Sequence, residues 1–294
     1  LADSDGRIIG ITAAMSSGTG MDVFSAAHPD RFFDVGIAEG HAVSMAGGMA
    51  KQGMVPVFAV YSSFLQRGYD MLIHDVALQN LHVVFCVDRA GLVGSDGETH
   101  HGVFDVSYLS SVPDMTVLCP ASYAELEAML HAAIYDITGS VAIRYPRGGE
   151  GVYTACNTAP ETLQREGGDV TLDCYGIMTN EALEAAERLA AAGVSAEVIK
   201  LSMIKPPDFD LIMRSLRKTG KLLISEDVCE AGCVGSRILE EAAINEIDVR
   251  AAKLLNLGEG IVPHGTVAEL LHDFGLDADG IAGAATEMMD KDLK

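Results

Sequence analysis

From one end of the chain to the other, short apolar β-prone runs alternate with helical patterns, and this alternation restricts the possible folds more than any other feature. Arg7–Thr12, Phe32–Val35, Val55–Val60, His82–Val87, Met115–Cys119 and Val141–Arg144 read as strands, with helices at Met21–His28, Glu39–Gln52, Phe64–Gln79 and Tyr123–Tyr135. Strands that are apolar almost throughout are buried on both faces, which predicts parallel sheets with helices above and below. Between Pro146 and Gly168 the pattern fades into Gly, Thr and Glu. It then resumes with strands at Val170–Ile177, Ala196–Leu201, Lys221–Glu226 and Ala251–Leu255, and helices at Asn180–Ala192, Phe209–Lys218, Ser236–Ile244, Val267–Phe274 and Asp277–Met289. The prediction is an α/β chain of two three-layer domains with mostly parallel sheets, residues 1–150 and 169–294, joined by a linker over 151–168. The second half shows no long loop rich in convergent polar groups and reads as a packing or dimerisation module. In sheets of this kind ligands bind at the loops beyond the carboxyl ends of the strands.

Composition narrows the partners. The net charge of −22 would repel nucleic acid and anionic membrane surfaces, so neither is expected as a partner. It would also repel anionic metabolites, so a site for one must supply arginines locally. No apolar run approaches the roughly 18 residues needed to span a bilayer, and Leu1-Ala2-Asp3-Ser4-Asp5 is neither signal nor transit peptide, so a cytoplasmic location is expected. Without an initial Met, residue 1 is expected to be a processing boundary or a cut and not a natural start. Cys86, Cys119, Cys156, Cys174, Cys229 and Cys233 have no second close pair to complete a tetrahedral site, so zinc is not expected and all six read as structural.

The candidates for chemistry lie at strand-to-helix junctions of the first half. Glu39 follows a strand in Gly36-Ile37-Ala38-Glu39-Gly40-His41 and opens a helix, where the dipole favours a carboxylate; it is equally a plain helix-start glutamate. Tyr61-Ser62-Ser63-Phe64-Leu65-Gln66-Arg67 puts an aromatic ring and a cation at the next junction, although Phe64 alone could be core. Asp88–Gly102, DRAGLVGSDGETHHG, is a Gly-rich loop carrying Arg89, Asp96, His100 and further charged groups. Burying such density would be costly, which favours an active-site loop over a solvated turn. Adjacent His100 and His101 cannot readily chelate one ion, so no metal is expected there. Arg144-Tyr145-Pro146-Arg147-Gly148 ends a strand on a rigid turn and offers arginines suited to a phosphate.

Together, FFDVGIAE (Phe32–Glu39), YSSFLQRGYD (Tyr61–Asp70), DRAGLVGSDGETHHG and RYPRG resemble the 1-deoxy-D-xylulose-5-phosphate synthase family of transketolase-like thiamine-diphosphate enzymes. Asn180-Glu181-Ala182-Leu183, Lys205-Pro206 and Pro263-His264-Gly265 extend the likeness more loosely. The resemblance implies a pyrimidine-binding domain followed by a transketolase C-terminal-like domain. It also implies a homodimeric transferase that condenses pyruvate with D-glyceraldehyde 3-phosphate, releasing carbon dioxide, for isoprenoid and thiamine biosynthesis. Glu39 would then hydrogen-bond N1′ of the cofactor's aminopyrimidine and favour its imino tautomer, and Phe64 would stack on that ring. Tyr61, Arg67, Arg89 and Arg147 would line the substrate side, with Arg89 and Arg147 holding the acceptor's phosphate. Asp96 and His100 would hydrogen-bond reacting oxygens.

The sequence departs from that family in two places that matter. Gly40 stands where the family usually has Gln, beside the proposed acid-base group. No Gly-Asp-Gly followed further on by Asn is found, the pattern that binds magnesium and the diphosphate in the family's N-terminal domain. The implied reading is a part of the synthase without its diphosphate-binding domain, inactive alone. Two alternatives stand beside it: the β-subunit of a 2-oxoacid dehydrogenase, against which the loop motifs speak, and a non-catalytic dimerisation or regulatory module.

Overall fold

The structure is a computed structural model that describes residues 1–291. Its strands are β1 Ile8–Thr12, β2 Phe32–Asp34, β3 Val55–Tyr61, β4 Val84–Asp88, β5 Thr116–Leu118, β6 Val141–Arg144, β7 Glu161–Arg165, β8 Val170–Tyr175, β9 Ala196–Leu201, β10 Met203–Lys205, β11 Lys221–Ser225 and β12 Ala251–Leu255. They form a seven-stranded sheet in the order β10-β5-β6-β4-β3-β1-β2 and a five-stranded sheet in the order β12-β11-β8-β9-β7. Apart from β10 on β5 and β7 on β9, every pairing is parallel, as the apolar strands predict. The register sets Tyr61 beside Asp88 and Val87 beside Arg144, so β3, β4 and β6 end along one rim.

Three expectations need correction. The linker is not featureless: Glu161–Arg165 is β7, an antiparallel edge strand on β9. Its alternation is polar because an edge strand has a neighbour on one side only, so it carries no apolar run to read. The Glu161 carboxylate accepts from the amides of Leu211 and Ile212, at 2.6 and 3.1 Å, satisfying two free N–H groups in the first turn of helix Asp210–Thr219.

The single helix expected over Phe64–Gln79 is a chain of short helical pieces: Ser62–Leu65, a 3₁₀ turn at Gln66–Gly68, Tyr69–Met71, a π turn at Leu72–Val76 and a 3₁₀ turn at Ala77–Gln79. Helix Glu39–Lys51 crosses this segment too closely for a regular cylinder. A Cβ on Gly47 would lie 2.8 Å from the Asp75 carbonyl oxygen, and one on Gly40 would lie 2.8 Å from Met71 Cε. Gly40 is thus part of a helix crossing as well as a neighbour of Glu39.

The third correction concerns the border between the halves. β10 belongs by sequence to the second half but pairs antiparallel with β5, at the edge of the first sheet. A helix that the sequence reading left out, Asp105–Ser111, packs nearby. One continuous apolar cluster runs from Phe58 and Phe85 through Val106 and Leu109 to Ile199, Ile212 and Leu216, so the two sheets share a core. Buried ion pairs cross the same seam: Arg144, held also by Asp105 at 3.0 Å, pairs with Asp227 at 3.4 Å, and Lys200 pairs with Glu125 at 2.9 Å. All six cysteines are free; five are buried and Cys156 is exposed. Burial pushes the Cys86, Cys119 and Cys174 thiols up to about 12, which leaves them unreactive. Among the described residues no helix is long and apolar enough to cross a membrane.

Candidate active site

The rim formed by β2, β3, β4 and β6 carries all the predicted residues, in two groups joined by aromatic rings. After β2, the Asp34 carboxylate accepts from the amides of Ala14 and Gly36, at 2.8 and 2.9 Å, and fixes the turn that leads into helix Glu39–Lys51. Glu39 is therefore the first helical residue, and only 3% of it is exposed. A carboxylate so buried needs a compensating partner. Arg67 provides it, with Nη1 3.3 Å from Glu39 Oε1, and the same guanidinium lies 4.8 Å from the centre of the Phe64 ring. Arg67 thus stands with Glu39 and Phe64, apart from the other two arginines.

Phe64 leads to the second group. Its ring meets that of His100 edge-on at 5.0 Å and that of Tyr61 at 5.7 Å, and the Arg89 guanidinium lies 3.7 Å from the centre of the Tyr61 ring. Arg89 has φ +61, a left-handed conformation that costs a non-glycine residue on the order of 1 kcal/mol and survives only where its surroundings hold it. Here they do: Ala90 N–H donates to Tyr145 O at 3.0 Å, and the side chain donates to Asp96 Oδ2, Asp88 Oδ2 and Gly18 O at 3.1, 3.2 and 3.1 Å. Arg147 reaches the other carboxylate oxygen, Asp96 Oδ1, at 3.1 Å and donates to Ser95 Oγ at 2.6 Å. Asp96 is therefore one anion between two cations, beside a cavity of about 400 Å³ lined by Gly18, Arg89, Tyr123, Arg147 and Glu150. A ligand anion could take its place without new cations being recruited. Burial pushes the neighbouring Asp88 carboxyl up to about 6, against the pull of Arg89.

Arg144, the other arginine of the RYPRG turn, takes no part in this. It is 3% exposed and locked between Asp105 and Asp227, so it is a strut in the seam and not a ligand for phosphate. Asp227 also touches the base of the Asp88–Gly102 loop: a Cβ on Gly91 would fall 1.7 Å from Asp227 Oδ2, and Gly91 has φ +75. Only glycine fits there. Gly91 and Gly102 exchange both backbone hydrogen bonds, at 2.9 and 2.8 Å, and so close the loop at its base. His101 N-ε2 lies 3.2 Å from Pro263 O, a further contact with the second half. The second half therefore reaches the site, which its lack of polar loops concealed; the one available signal was the Pro263-His264-Gly265 match.

The residues fit an aminopyrimidine ring. Glu39 is a buried carboxylate whose one side-chain partner among the described residues is Arg67, and Phe64 stands on the other side of that arginine. In the same segment as Phe64 the hydroxyls of Ser62 and Ser63 are buried without a hydrogen-bond partner. Among the described residues no group of three or more His, Cys, Asp or Glu side chains could hold a metal ion.

Residues 1–149 match the transketolase pyrimidine-binding domain and residues 161–281 the transketolase C-terminal domain, so the chain belongs to the transketolase family. Within it, the chain is 45% identical to 1-deoxy-D-xylulose-5-phosphate synthase of Heliobacterium modesticaldum, over 99% of this chain and 46% of that protein. It is 46% identical to the same enzyme of Chlorobium luteolum, over 96% of this chain and 45% of that protein. The chain thus spans about half the length of the curated relatives it matches. A split-gene transketolase, described as an inactive β4 tetramer, superposes with TM-score 0.87 at 29% identity, covering 98% of this chain and 93% of that one. The transketolase of Campylobacter jejuni shares the fold at TM-score 0.77 and 17% identity, over 98% of this chain and 44% of that one.

Proposed function

We propose that this chain is the pyrimidine-binding and C-terminal part of a 1-deoxy-D-xylulose-5-phosphate synthase, acting in the cytoplasm as a homodimer on pyruvate and D-glyceraldehyde 3-phosphate. The observation that carries the reading is the joining, through Phe64 and Tyr61, of a buried helix-start carboxylate to a carboxylate shared by two arginines. Thiamine diphosphate, when bound, supplies a nucleophilic carbon that adds to pyruvate and accepts the electron pair left by carbon dioxide. Glu39 holds a proton at N1′ of the aminopyrimidine, in a setting from which water is largely excluded. Phe64 offers its ring for stacking, and Tyr61 packs beside it. Arg89 and Arg147 bind the acceptor's phosphate, and Asp96, released from them, joins His100 in hydrogen-bonding the reacting oxygens. Arg67 lines the substrate side and restrains Glu39. Magnesium and the diphosphate are assigned to an N-terminal domain, upstream on the same polypeptide or on a separate one.

The split-gene neighbour supports the second arrangement, in which the chain is silent until its other half is added. The test is product formation from pyruvate and D-glyceraldehyde 3-phosphate with thiamine diphosphate and magnesium, for this chain alone and mixed with a separately made N-terminal part of the synthase. Turnover only on mixing supports the reading. A mixture that assembles without turnover leaves a non-catalytic module.

A further inference from the structure

We infer that His101 is a positioning residue through which the second half of the chain sets the Arg89–Asp96–Arg147 cluster. His101 is 4% exposed, and its two hydrogen bonds go to backbone atoms and to none of these three side chains. One of its bonds stays within the loop and the other leaves it. Val93 N–H donates to His101 Nδ1 at 3.2 Å, and His101 Nε2 lies 3.2 Å from Pro263 O. The partners decide the tautomer: a peptide N–H can only donate and a carbonyl oxygen can only accept, so Nδ1 is bare and Nε2 carries the hydrogen. The carbonyl of Val93 in turn accepts from Arg147 Nη1 at 3.4 Å. Arg147 holds Asp96, and Asp96 holds Arg89. A line of contacts therefore runs from Pro263 through the imidazole and one residue of backbone to the paired arginines.

This line exists for one protonation state only. An imidazolium would turn an Nδ1–H against the Val93 N–H and lose that bond. Burial favours the neutral ring, lowering the His101 pKa from its ordinary value. The titratable groups that face it are Glu98 and His100 on its own loop and His264 on the segment from the second half; Glu98 favours the imidazolium and the two histidines oppose it. The sign follows: the bond is intact at neutral pH and is lost as pH falls through the depressed value.

The role in phosphate binding rests on the function proposed above, whereas the link itself does not, so the two are tested separately. Amide exchange at Val93, corrected for intrinsic rate, is measured on the chain alone as pH is lowered from about 7.5 until a side-chain nitrogen spectrum shows His101 protonated, the same spectrum reporting its tautomer. At neutral pH the spectrum should show an unprotonated Nδ1, and Val93 protection should fall at least about fivefold once the ring is protonated. In His101→Gln, whose amide can both accept and donate, protection should persist over the whole range; in His101→Phe it should be lost throughout. Val93 protection that is the same for the neutral and the protonated ring in the native chain, or an Nδ1–H tautomer, overturns the proposal even if His101→Phe does not fold. In the reconstituted mixture, His101→Phe should raise KM for D-glyceraldehyde 3-phosphate about tenfold with a smaller change in kcat, and His101→Gln should restore it. An unchanged KM overturns the positioning role, and a mixture whose native form makes no product overturns the proposed function while leaving the exchange result to stand.

Discussion

Arg144 and Arg147 stand on either side of Tyr145-Pro146, and each pairs with at least one carboxylate. Arg144 is 3% exposed and sits between Asp105 and Asp227, which are themselves buried. The Arg147 side chain is 39% exposed and meets an Asp96 that is 25% exposed. A buried pair is held in place by the cost of leaving either charge alone, so it cannot be traded for a ligand. An accessible pair contributes little to stability and can open to admit another anion. Burial separates the strut from the binding group, and the residue type does not.

The largest expected effect tests whether the rim is catalytic at all. Glu39→Gln should lower product formation by the reconstituted enzyme by about 10²–10⁴-fold, measured as kcat with the circular dichroism spectrum unchanged. Arg144→Met should cost about 3–5 kcal/mol in urea unfolding, because Asp105 and Asp227 lose their counter-charge. Should it cost under about 1 kcal/mol, the contrast between the two arginines fails. Arg147→Met should leave stability within about 0.5 kcal/mol and raise KM for the phosphorylated substrate about 10-fold or more. The smallest effect is one of slope. Asp88 has a carboxyl raised from 3.8 to about 6, so the folded chain binds its proton more tightly than the unfolded chain. That contribution is fully present below the ordinary value and is lost as pH rises through about 6. Asp88→Asn should flatten unfolding free energy against pH in that window by about 1–2 kcal/mol.

The same contrast explains what could be read in advance. Parallel sheets were legible because central strands such as β3 and β4 are apolar on both faces. Glu39, Tyr61, Phe64, Arg89 and Asp96 were legible because each lies in a short contiguous motif at the end of one strand. The strut role of Arg144 was not legible because its partners stand 39 and 83 residues away, and no local pattern announces such a pairing. His101 was in plain view inside DGETHHG, but its use depends on Pro263, 162 residues on. The broken helix after Phe64 was hidden because close approach at Gly47 is a property of two segments together.

β10 changes what counts as a separable unit. A cut through residues 151–168 would follow the fade in the sequence, yet it would take Met203–Lys205 away from β5 and leave that edge with unpaired amides and carbonyls, open to another strand. A pyrimidine-binding module moved into another protein would have to carry this three-residue strand with it or be given a substitute. Exchange of parts between related enzymes is therefore expected to succeed at borders that keep residues 1–150 and 203–205 from a single parent.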